Sequence, residues 1–133
     1  VFWDERITKS LKVGKKEKEG LLKKTVETIR QREKILKIPK LSVEGKTAIV
    51  VDDGVATGAT AIAASLILKK MGAQKIILAT PVISKDTKRE IAQYFDKIIA
   101  VETPDDFSAV GEFYQEFPQV EDEEVKEILK SKN

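Results

Sequence analysis

The sequence predicts an α/β fold that is built on a parallel β-sheet. Three short runs of aliphatic and β-branched residues alternate with two helical stretches, and this order is typical of a parallel sheet with right-handed crossovers. A length of 133 residues is sufficient for one domain with a modest core. Because three strands make a small sheet, and because the chain begins at Val1 and has its single methionine at Met71, we expect this fold to be incomplete at its amino terminus.

The first predicted element is an amphipathic helix from Gly20 to Ile38, which Pro39 ends. Its apolar residues recur at helical spacing and predict one buried stripe. They are Leu22, Val26, Ile29 and Leu36. Residues 1–19 contain no pattern that predicts a helix or a strand, so we expect a basic arm there, followed by the helix packed on the core.

Three short apolar runs predict buried strands. They are Thr47–Val51, Lys75–Val82 and Lys97–Val101. Thr60–Met71, between the first two, is apolar on nearly all sides and is followed by Gly72, which predicts a buried helix.

Two further helices are predicted after the second strand. Ser84 to Phe95 is amphipathic, with Ile91 and Phe95 on the inward face and Ser84 as its cap. Glu121 to Lys132 has acidic residues in its first turn and lysines in its last turn, which suits the helix dipole.

The composition excludes several classes of chemistry. The chain has no cysteine and no histidine, so disulfides, thiolate catalysis, imidazole bases and most zinc sites are ruled out. No apolar run approaches the roughly 20 residues that span a bilayer, and we expect a cytoplasmic protein without membrane contact. Asparagine and methionine are scarce while lysine and glutamate abound, which fits a thermophile.

Charge is distributed unevenly along the chain. Residues 1–46 carry 14 basic and 7 acidic side chains, whereas residues 102–133 carry 3 and 10. We therefore expect one domain with two parts, a basic arm and helix over 1–46 and a ligand-binding core over 47–133 with an acidic end. A basic arm suits a polyanion, but runs of charge are commonly solvated. Because no aromatic residue lies between Trp3 and Tyr94 to stack on bases, we expect no nucleic-acid partner.

The segment VVDDGVATGAT, from Val50 to Thr60, carries the strongest functional signal. Two aspartates, Asp52 and Asp53, end a predicted strand, and a loop of small residues leads into a helix. The amides at such a helix start favour an anion, and carboxylates nearby can accept hydrogen bonds from hydroxyl groups. Together these features predict a site for a sugar phosphate.

The glycines of this segment suit a binding loop, but a structural alternative stays open on the residues alone. Gly54 and Gly58 permit a positive φ and let the backbone approach a ligand closely. The alternative is structural, with Asp-Asp-Gly as an ordinary strand-ending turn and Thr57 or Thr60 as the cap of the helix.

VVDDGVATGAT resembles the phosphoribosyl diphosphate (PRPP) signature of type I phosphoribosyltransferases, in which four hydrophobic residues and two acids precede a short link and T-G-x-T. The resemblance extends over residues 20–130. The stretch TPDDFSAVGEFYQEFPQV, from Thr103 to Val120, is similar to the carboxyl-terminal block of an uncharacterised phosphoribosyltransferase-domain family. The resemblance implies a Rossmann-like parallel-sheet core and transfer of a phosphoribosyl group from Mg²⁺-bound PRPP to a nitrogenous base, with release of diphosphate.

The same resemblance implies roles for individual residues. Asp52 and Asp53 would act in catalysis at the ribose hydroxyls and at the Mg²⁺-bound diphosphate, reaching the cation through water rather than directly. Because successive residues of a strand point to opposite faces, we expect one aspartate to contact the diol and the other to brace the loop or the waters of the cation. The 5′-phosphate would be held by Ala56, Thr57, Gly58, Ala59 and Thr60.

The resemblance also suggests that Phe107 stacks on the base, near Phe113, Tyr114 and Phe117. The alternative is a satellite apolar cluster at the edge of the sheet. Members of this family are commonly homodimers, and we expect the same here.

The chain departs from the family pattern at several positions. Ala56 stands where many 6-oxopurine salvage enzymes carry an aspartate, Ala59 where several relatives have Gly or Lys, and Gly54 where an aliphatic residue is usual. Neither a basic diphosphate-binding loop nor a mobile catalytic loop is recognisable, and upstream residues are the natural place for the former. Arg30, Arg32 and Lys34 could reach toward a diphosphate, although solvation on a helix surface explains them better.

Two other functions compete with the enzyme. The same fold without turnover would serve as a regulatory module that senses PRPP or a nucleotide. A phosphoacceptor receiver domain also has two aspartates after its first strand, but it needs another at the end of a later strand, and Asp96 lies before the third strand rather than after it.

Overall fold

Three parallel strands form one sheet in the described part of the chain, and their order in space equals their order in sequence. They are β1 (Thr47–Val51), β2 (Lys75–Val82) and β3 (Lys97–Glu102). Val50 pairs with Leu78, and Leu78 pairs with Ile98. The computed structural model describes residues 2–36 and 42–131. The α/β fold with a parallel sheet, predicted from the alternation of strands and helices, is confirmed.

The described helices are named in chain order. They are α1 (Glu5–Ser10), α2 (Lys15–Leu36), α3 (Ala59–Lys70), α4 (Lys85–Ile91) and α5 (Asp122–Lys130), with short 3₁₀ turns at Ala92–Tyr94 and Val110–Phe113. Among the described residues, none of these helices combines the length and the apolar character that crossing a membrane requires.

The described residues fall into two compact units. One consists of residues 2–3 and Ser42–Phe117 and contains the sheet, and the other consists of residues 4–36 and 118–131. The division at residue 46 that charge suggested stays a prediction. The predicted end of the first long helix at Ile38, with Pro39 as its stop, and the predicted helix end at Lys132 lie outside the described residues.

The unit that contains the sheet has its core on one face of the sheet. The aliphatic residues of this core come from β2, from the turns after β1 and β2, from α3 and from α4. They include Val55, Ala61, Ile62, Leu78, Ile83 and Ile91. Tyr94, Phe95 and Ile98 pack against them, which confirms the inward direction predicted for Ile91 and Phe95.

The opposite face of the sheet is open to solvent in this unit. Ile49 and Val51 on β1 are 63% and 76% exposed, and Val101 on β3 is 84% exposed. The prediction that all three strands are buried is therefore wrong for this face. A continuous apolar run predicts that both faces are covered, whereas in the structure alternate residues of β1 and β3 point away from the core.

The helix predicted from Ser84 to Phe95 is shorter in the structure. Ser84 is its cap, as expected, and accepts a hydrogen bond from the Thr87 amide. The α-helix ends at Ile91 and tightens into a 3₁₀ turn, where the Tyr94 carbonyl accepts a hydrogen bond from the buried Ser65 hydroxyl on α3. A tertiary contact with α3 thus falls where the regular α-helix has ended.

In the other unit, α1 was not predicted. Its signal is Asp4, whose carboxylate accepts hydrogen bonds from the amides of Arg6 and Ile7 and so caps the helix. The stripe predicted on α2 is confirmed for Leu22, Val26 and Leu36, which are half-buried, but it is wrong for Ile29, which is exposed.

A cross-helix ion pair also belongs to this second unit. Arg32 on α2 lies 3.2 Å from the Asp122 carboxylate on α5. Arg32 is therefore paired with a carboxylate of the same unit, and its reach toward a diphosphate stays a prediction.

Candidate functional site

The segment after β1 continues along β2 instead of leaving the sheet. The Asp52 amide donates to the Ala79 carbonyl at 3.2 Å, and the Val55 amide donates to the Val82 carbonyl at 2.9 Å. The Val55 side chain is buried in the core. These contacts anchor both ends of the Asp-Asp-Gly turn, so the turn is held at the carboxyl edge of the sheet, where ligands of parallel α/β folds bind.

A cavity of about 230 Å³ lies between this turn and the start of α3. The residues that line it are continuous in sequence, except that Asp53 is not among them. The lining residues are Asp52 and Gly54 through Ala61. All five positions predicted to hold a phosphate therefore line one cavity, together with one of the two predicted carboxylates.

Gly58 shapes the wall of this cavity. It precedes the first residue of α3 and has a φ of +75°, in the left-handed region that favours glycine. It is also closely packed, because a Cβ atom there would lie 2.7 Å from Cγ2 of Ile91 on α4. Gly58 thus uses the positive φ that glycine permits.

The start of α3 presents backbone amides rather than a side-chain cap. Gly58 occupies the cap position, so neither Thr57 nor Thr60 is the cap. The Thr57 hydroxyl nevertheless accepts a long hydrogen bond, of 3.4 Å, from the Ala59 amide. The first bond of the helical ladder runs from the Ile62 amide to the Gly58 carbonyl at 2.8 Å. The amides of Thr60 and Ala61 therefore lie outside the ladder, in the position that suits a bound anion.

The two aspartates have different surroundings. Asp52 is half-buried and lines the cavity, whereas Asp53 is exposed and is not among the lining residues. One carboxylate oxygen of Asp52 accepts a hydrogen bond from the Asp53 amide at 3.1 Å. Burial raises the pKa of the Asp52 carboxyl above its ordinary value, and the charge of Asp53 raises it further. The two carboxylates are thus not equivalent.

Gly54 is required for a reason that the sequence did not indicate. Gly54 does not use the positive φ that glycine permits. Instead, a Cβ atom at this position would lie 2.3 Å from Cγ1 of Val110. Close approach of the Val110 turn to the acidic turn is what excludes a side chain.

Two side-chain hydroxyls hold the loop from outside the cavity. Thr87 on α4 donates to the Ala56 carbonyl at 2.8 Å, and Tyr114 donates to the Asp53 carbonyl at 2.6 Å. Ser84 donates to the Thr87 hydroxyl at 2.9 Å, which completes a short chain of hydroxyl groups. Thr87 was not predicted as a functional residue from the sequence. The only signal for it is its position three residues after the Ser84 cap.

Phe107 lies in an aromatic cluster. Its ring stacks on Phe113 with a centroid distance of 5.5 Å and an interplanar angle of 16°, and it is not among the residues that line the cavity. This geometry favours the satellite cluster, and a contact of Phe107 with a base stays a prediction.

Asp96 binds a backbone amide at the amino-terminal edge of the sheet, opposite the cavity. Its carboxylate accepts a hydrogen bond from the amide of Ile76 at 2.7 Å, at the amino-terminal end of β2. The distance of this residue from the carboxyl edge agrees with the argument against a receiver domain.

The comparisons with known proteins agree with the geometry. The family model described as "Phosphoribosyl transferase domain" matches residues 9–117. Two strains of Mycobacterium tuberculosis each have a protein named as a candidate phosphoribosyl transferase, which is 41% identical over 90 residues. A ribose-phosphate pyrophosphokinase of Thermoplasma volcanium is 31% identical over 113 residues.

Among solved structures, protein TT1426 of Thermus thermophilus superimposes with a TM-score of 0.73 at 34% identity over 79% of this chain. The matched part is 68% of this chain and 20% of each Mycobacterium protein, and 80% of this chain and 37% of the Thermoplasma protein. It is 51% of the Thermus chain. The chain thus spans only part of the length of the proteins that it matches. Since the family model covers most of the chain, the chain belongs to the phosphoribosyl transferase domain family.

Proposed function

We propose that this domain binds Mg²⁺-PRPP and transfers the 5-phosphoribosyl group to a nitrogenous base, with release of diphosphate. The observation that carries the proposal is the cavity formed by residues 54–61 with Asp52 at its rim. It combines an anion-binding helix start with a carboxylate a few residues away, and a phosphorylated pentose has the matching groups, one phosphate and a pair of hydroxyls.

The 5′-phosphate belongs at the start of α3. None of the lining residues is basic, so the anion would be held by backbone amides, by the helix dipole and by the hydroxyls of Thr57 and Thr60. This kind of site depends on the conformation of the loop more than on side-chain charge. The left-handed φ of Gly58 and its close packing on Ile91 suit that requirement.

The ribose hydroxyls belong at Asp52. Its carboxylate lines the cavity, and an ionised carboxylate accepts hydrogen bonds from both members of a diol. As the bond from C1′ to diphosphate breaks, positive charge develops on the ribose, and a negative carboxylate in a partly buried position stabilises that charge. The exposed Asp53 is then the aspartate that faces the waters of the cation.

The acidic turn fits Mg²⁺ that arrives with the diphosphate. Within the described residues, no group of three or more His, Cys, Asp or Glu side chains is arranged to hold a metal ion. Mg²⁺ commonly uses one or two carboxylates, substrate phosphates and several waters, and Asp52 and Asp53 supply the carboxylates for that mode. Mg²⁺ bound in this way would neutralise charge on the departing diphosphate.

Calorimetry tests the binding step. We expect the wild-type chain to bind PRPP in the presence of Mg²⁺, to bind it at least about tenfold more weakly in EDTA, and to bind ribose 5-phosphate measurably. The tenfold figure corresponds to one charge-assisted interaction. If the folded wild-type chain gave no heat with Mg²⁺-PRPP over a millimolar range, the proposed function would be wrong.

A sensing module without turnover is the second candidate. The observation that favours it is the lack of a basic residue in the cavity lining, because a diphosphate leaving group needs cationic partners besides the metal. Release of diphosphate, measured with a panel of purine and pyrimidine bases, separates the two functions. Binding with release supports the transferase, and binding without release for every base supports the sensor.

The hydroxyl of Thr87 gives a further prediction. Thr87→Val keeps the shape of the side chain but removes the donor to the Ala56 carbonyl, so we expect the affinity for Mg²⁺-PRPP to fall about 3- to 10-fold, the value of one neutral hydrogen bond. Thr87→Ser should restore most of the affinity.

The matched control for this variant is Ser65→Ala. It removes another buried hydroxyl, which donates to the Tyr94 carbonyl rather than to the loop. We expect Ser65→Ala to lower the melting temperature without lowering the affinity. Equal loss of affinity in Thr87→Val and Ser65→Ala would contradict a specific role for Thr87.

A further inference from the structure

The backbone of Asp53 is held at both of its polar groups. Its amide donates to the Asp52 carboxylate at 3.1 Å, and its carbonyl accepts a hydrogen bond from the Tyr114 hydroxyl at 2.6 Å. Tyr114 lies 61 residues further along the chain, so this contact ties the acidic turn to a distant segment. A distance of 2.6 Å falls within the usual range for O–H···O bonds.

The segment that carries Tyr114 also packs on the Asp-Asp-Gly turn. Val110 approaches Gly54 so closely that a Cβ atom there would lie 2.3 Å from its Cγ1 and 2.7 Å from its Cγ2. Gly54 follows Asp53 directly, so the hydroxyl contact and the packing contact fall on adjacent residues. Two independent observations therefore place the Val110–Tyr114 stretch against the peptide that follows Asp53.

The direction of the Tyr114 ring is fixed by its own neighbours. Its ring packs on Phe117 at a centroid distance of 4.9 Å. Gly111 leaves room for Phe117, because a Cβ atom at Gly111 would lie 3.3 Å from Cδ1 of that ring. The ring is thus held by apolar contacts while its hydroxyl reaches the carbonyl, an arrangement typical of a partly buried tyrosine.

We infer that Tyr114 is a positioning residue, whose hydroxyl fixes the peptide after Asp53 and thereby the orientation of the two carboxylates toward the ligand. The inference rests on the proposed function. Without the hydroxyl, the Asp53 carbonyl loses its partner and the turn can rotate, so binding must also order the turn. The phosphate site at the start of α3 does not involve this contact and should be unaffected.

The test uses Tyr114→Phe, which keeps the ring and removes the hydroxyl. We expect its dissociation constant for Mg²⁺-PRPP to rise about 3- to 10-fold, the effect of one hydrogen bond. Its binding of inorganic phosphate, followed by amide chemical shifts of residues 58–61, should equal that of the wild type. If Tyr114 had only a structural role, Tyr114→Phe would weaken the binding of both ligands together.

Two further variants complete the design. Tyr94→Phe is the matched control, since the described hydrogen bond of Tyr94 uses its backbone carbonyl, and it should bind as the wild type does. Val110→Ala reduces the packing of this segment on Gly54 but keeps the Tyr114 hydroxyl. It should also weaken the binding of Mg²⁺-PRPP, by a smaller factor than Tyr114→Phe does.

The outcomes separate the inference from the proposed function. Binding of Mg²⁺-PRPP by the wild type with an unchanged dissociation constant in Tyr114→Phe overturns the inference alone. Equal weakening of Mg²⁺-PRPP and of phosphate also overturns it. Failure of the wild type to bind Mg²⁺-PRPP overturns the proposed function, and this inference with it.

Discussion

Gly58→Ala is expected to destabilise the protein by about 2–5 kcal/mol and to abolish measurable binding of Mg²⁺-PRPP. The left-handed φ of +75° costs a residue with a side chain about 1–2 kcal/mol. The added Cβ would lie 2.7 Å from Cγ2 of the buried Ile91, and overpacking of a core costs about 1–3 kcal/mol. The loop must move to relieve either problem, and its amides then leave the positions that suit a phosphate. Chemical denaturation and calorimetry measure the two effects.

Gly45→Ala is the matched control for this substitution. Gly45 also has a positive φ, of 68°, but a Cβ atom there would meet nothing within 4 Å. It therefore reports the cost of the backbone conformation without the clash, and we expect a loss of about 1–2 kcal/mol with unchanged binding. If the two variants lost equal stability and both bound the ligand, the close packing of Gly58 on α4 would have no functional importance.

Asp52→Asn is expected to reduce the affinity for Mg²⁺-PRPP by about 10- to 100-fold, since hydrogen bonds to a charged group are worth about 1.5–3 kcal/mol. It should not lower the melting temperature at pH 7. The pKa of this carboxyl is raised in the folded state, first by burial and then by the charge of Asp53. A raised pKa in the folded state means that ionisation of this carboxyl opposes folding.

The pH dependence follows from the same shift. The pKa of this carboxyl in the folded state lies above its unfolded value of 3.8. Its contribution to stability is therefore fully present below pH 3.8 and is lost as the pH rises through the pKa of the folded state. The melting temperature of the wild type relative to Asp52→Asn should therefore fall as the pH rises from 3 toward neutrality. A relative rise of the wild-type melting temperature over this interval would contradict the account.

Asp96→Ala provides the opposite pattern as a control. It removes the acceptor of the buried Ile76 amide, and an unsatisfied buried amide costs about 1–3 kcal/mol. We expect this variant to melt at a lower temperature and to bind Mg²⁺-PRPP as the wild type does. The pair thus separates an aspartate that stabilises the fold from one that serves the ligand.

The order of the core elements and the position of the loop could be predicted because they depend on local patterns. Short aliphatic runs separated by helical stretches determine the parallel sheet, and Asp-Asp-Gly before a helix start marks the position of the cavity. The open face of the sheet could not be predicted, because the run TAIVV is equally apolar whether one face or both faces are covered.

The contacts that hold the loop could not be predicted because they join residues distant in sequence. Tyr114 meets Asp53, and Thr87 meets Ala56, across 61 and 31 residues. Nor does a glycine in a sequence reveal whether it serves conformation or close approach. Gly58 needs both, whereas Gly54 needs space for Val110.

Amide chemical shifts during titration with ribose 5-phosphate test the central claim most directly. The account predicts saturable shifts concentrated at the amides of residues 57–61, with smaller shifts at Asp52 and Asp53 and none for ribose without its phosphate. Shifts confined to other segments, or binding that leaves these amides unchanged, would contradict the claim that this loop and helix start hold the phosphate of the ligand.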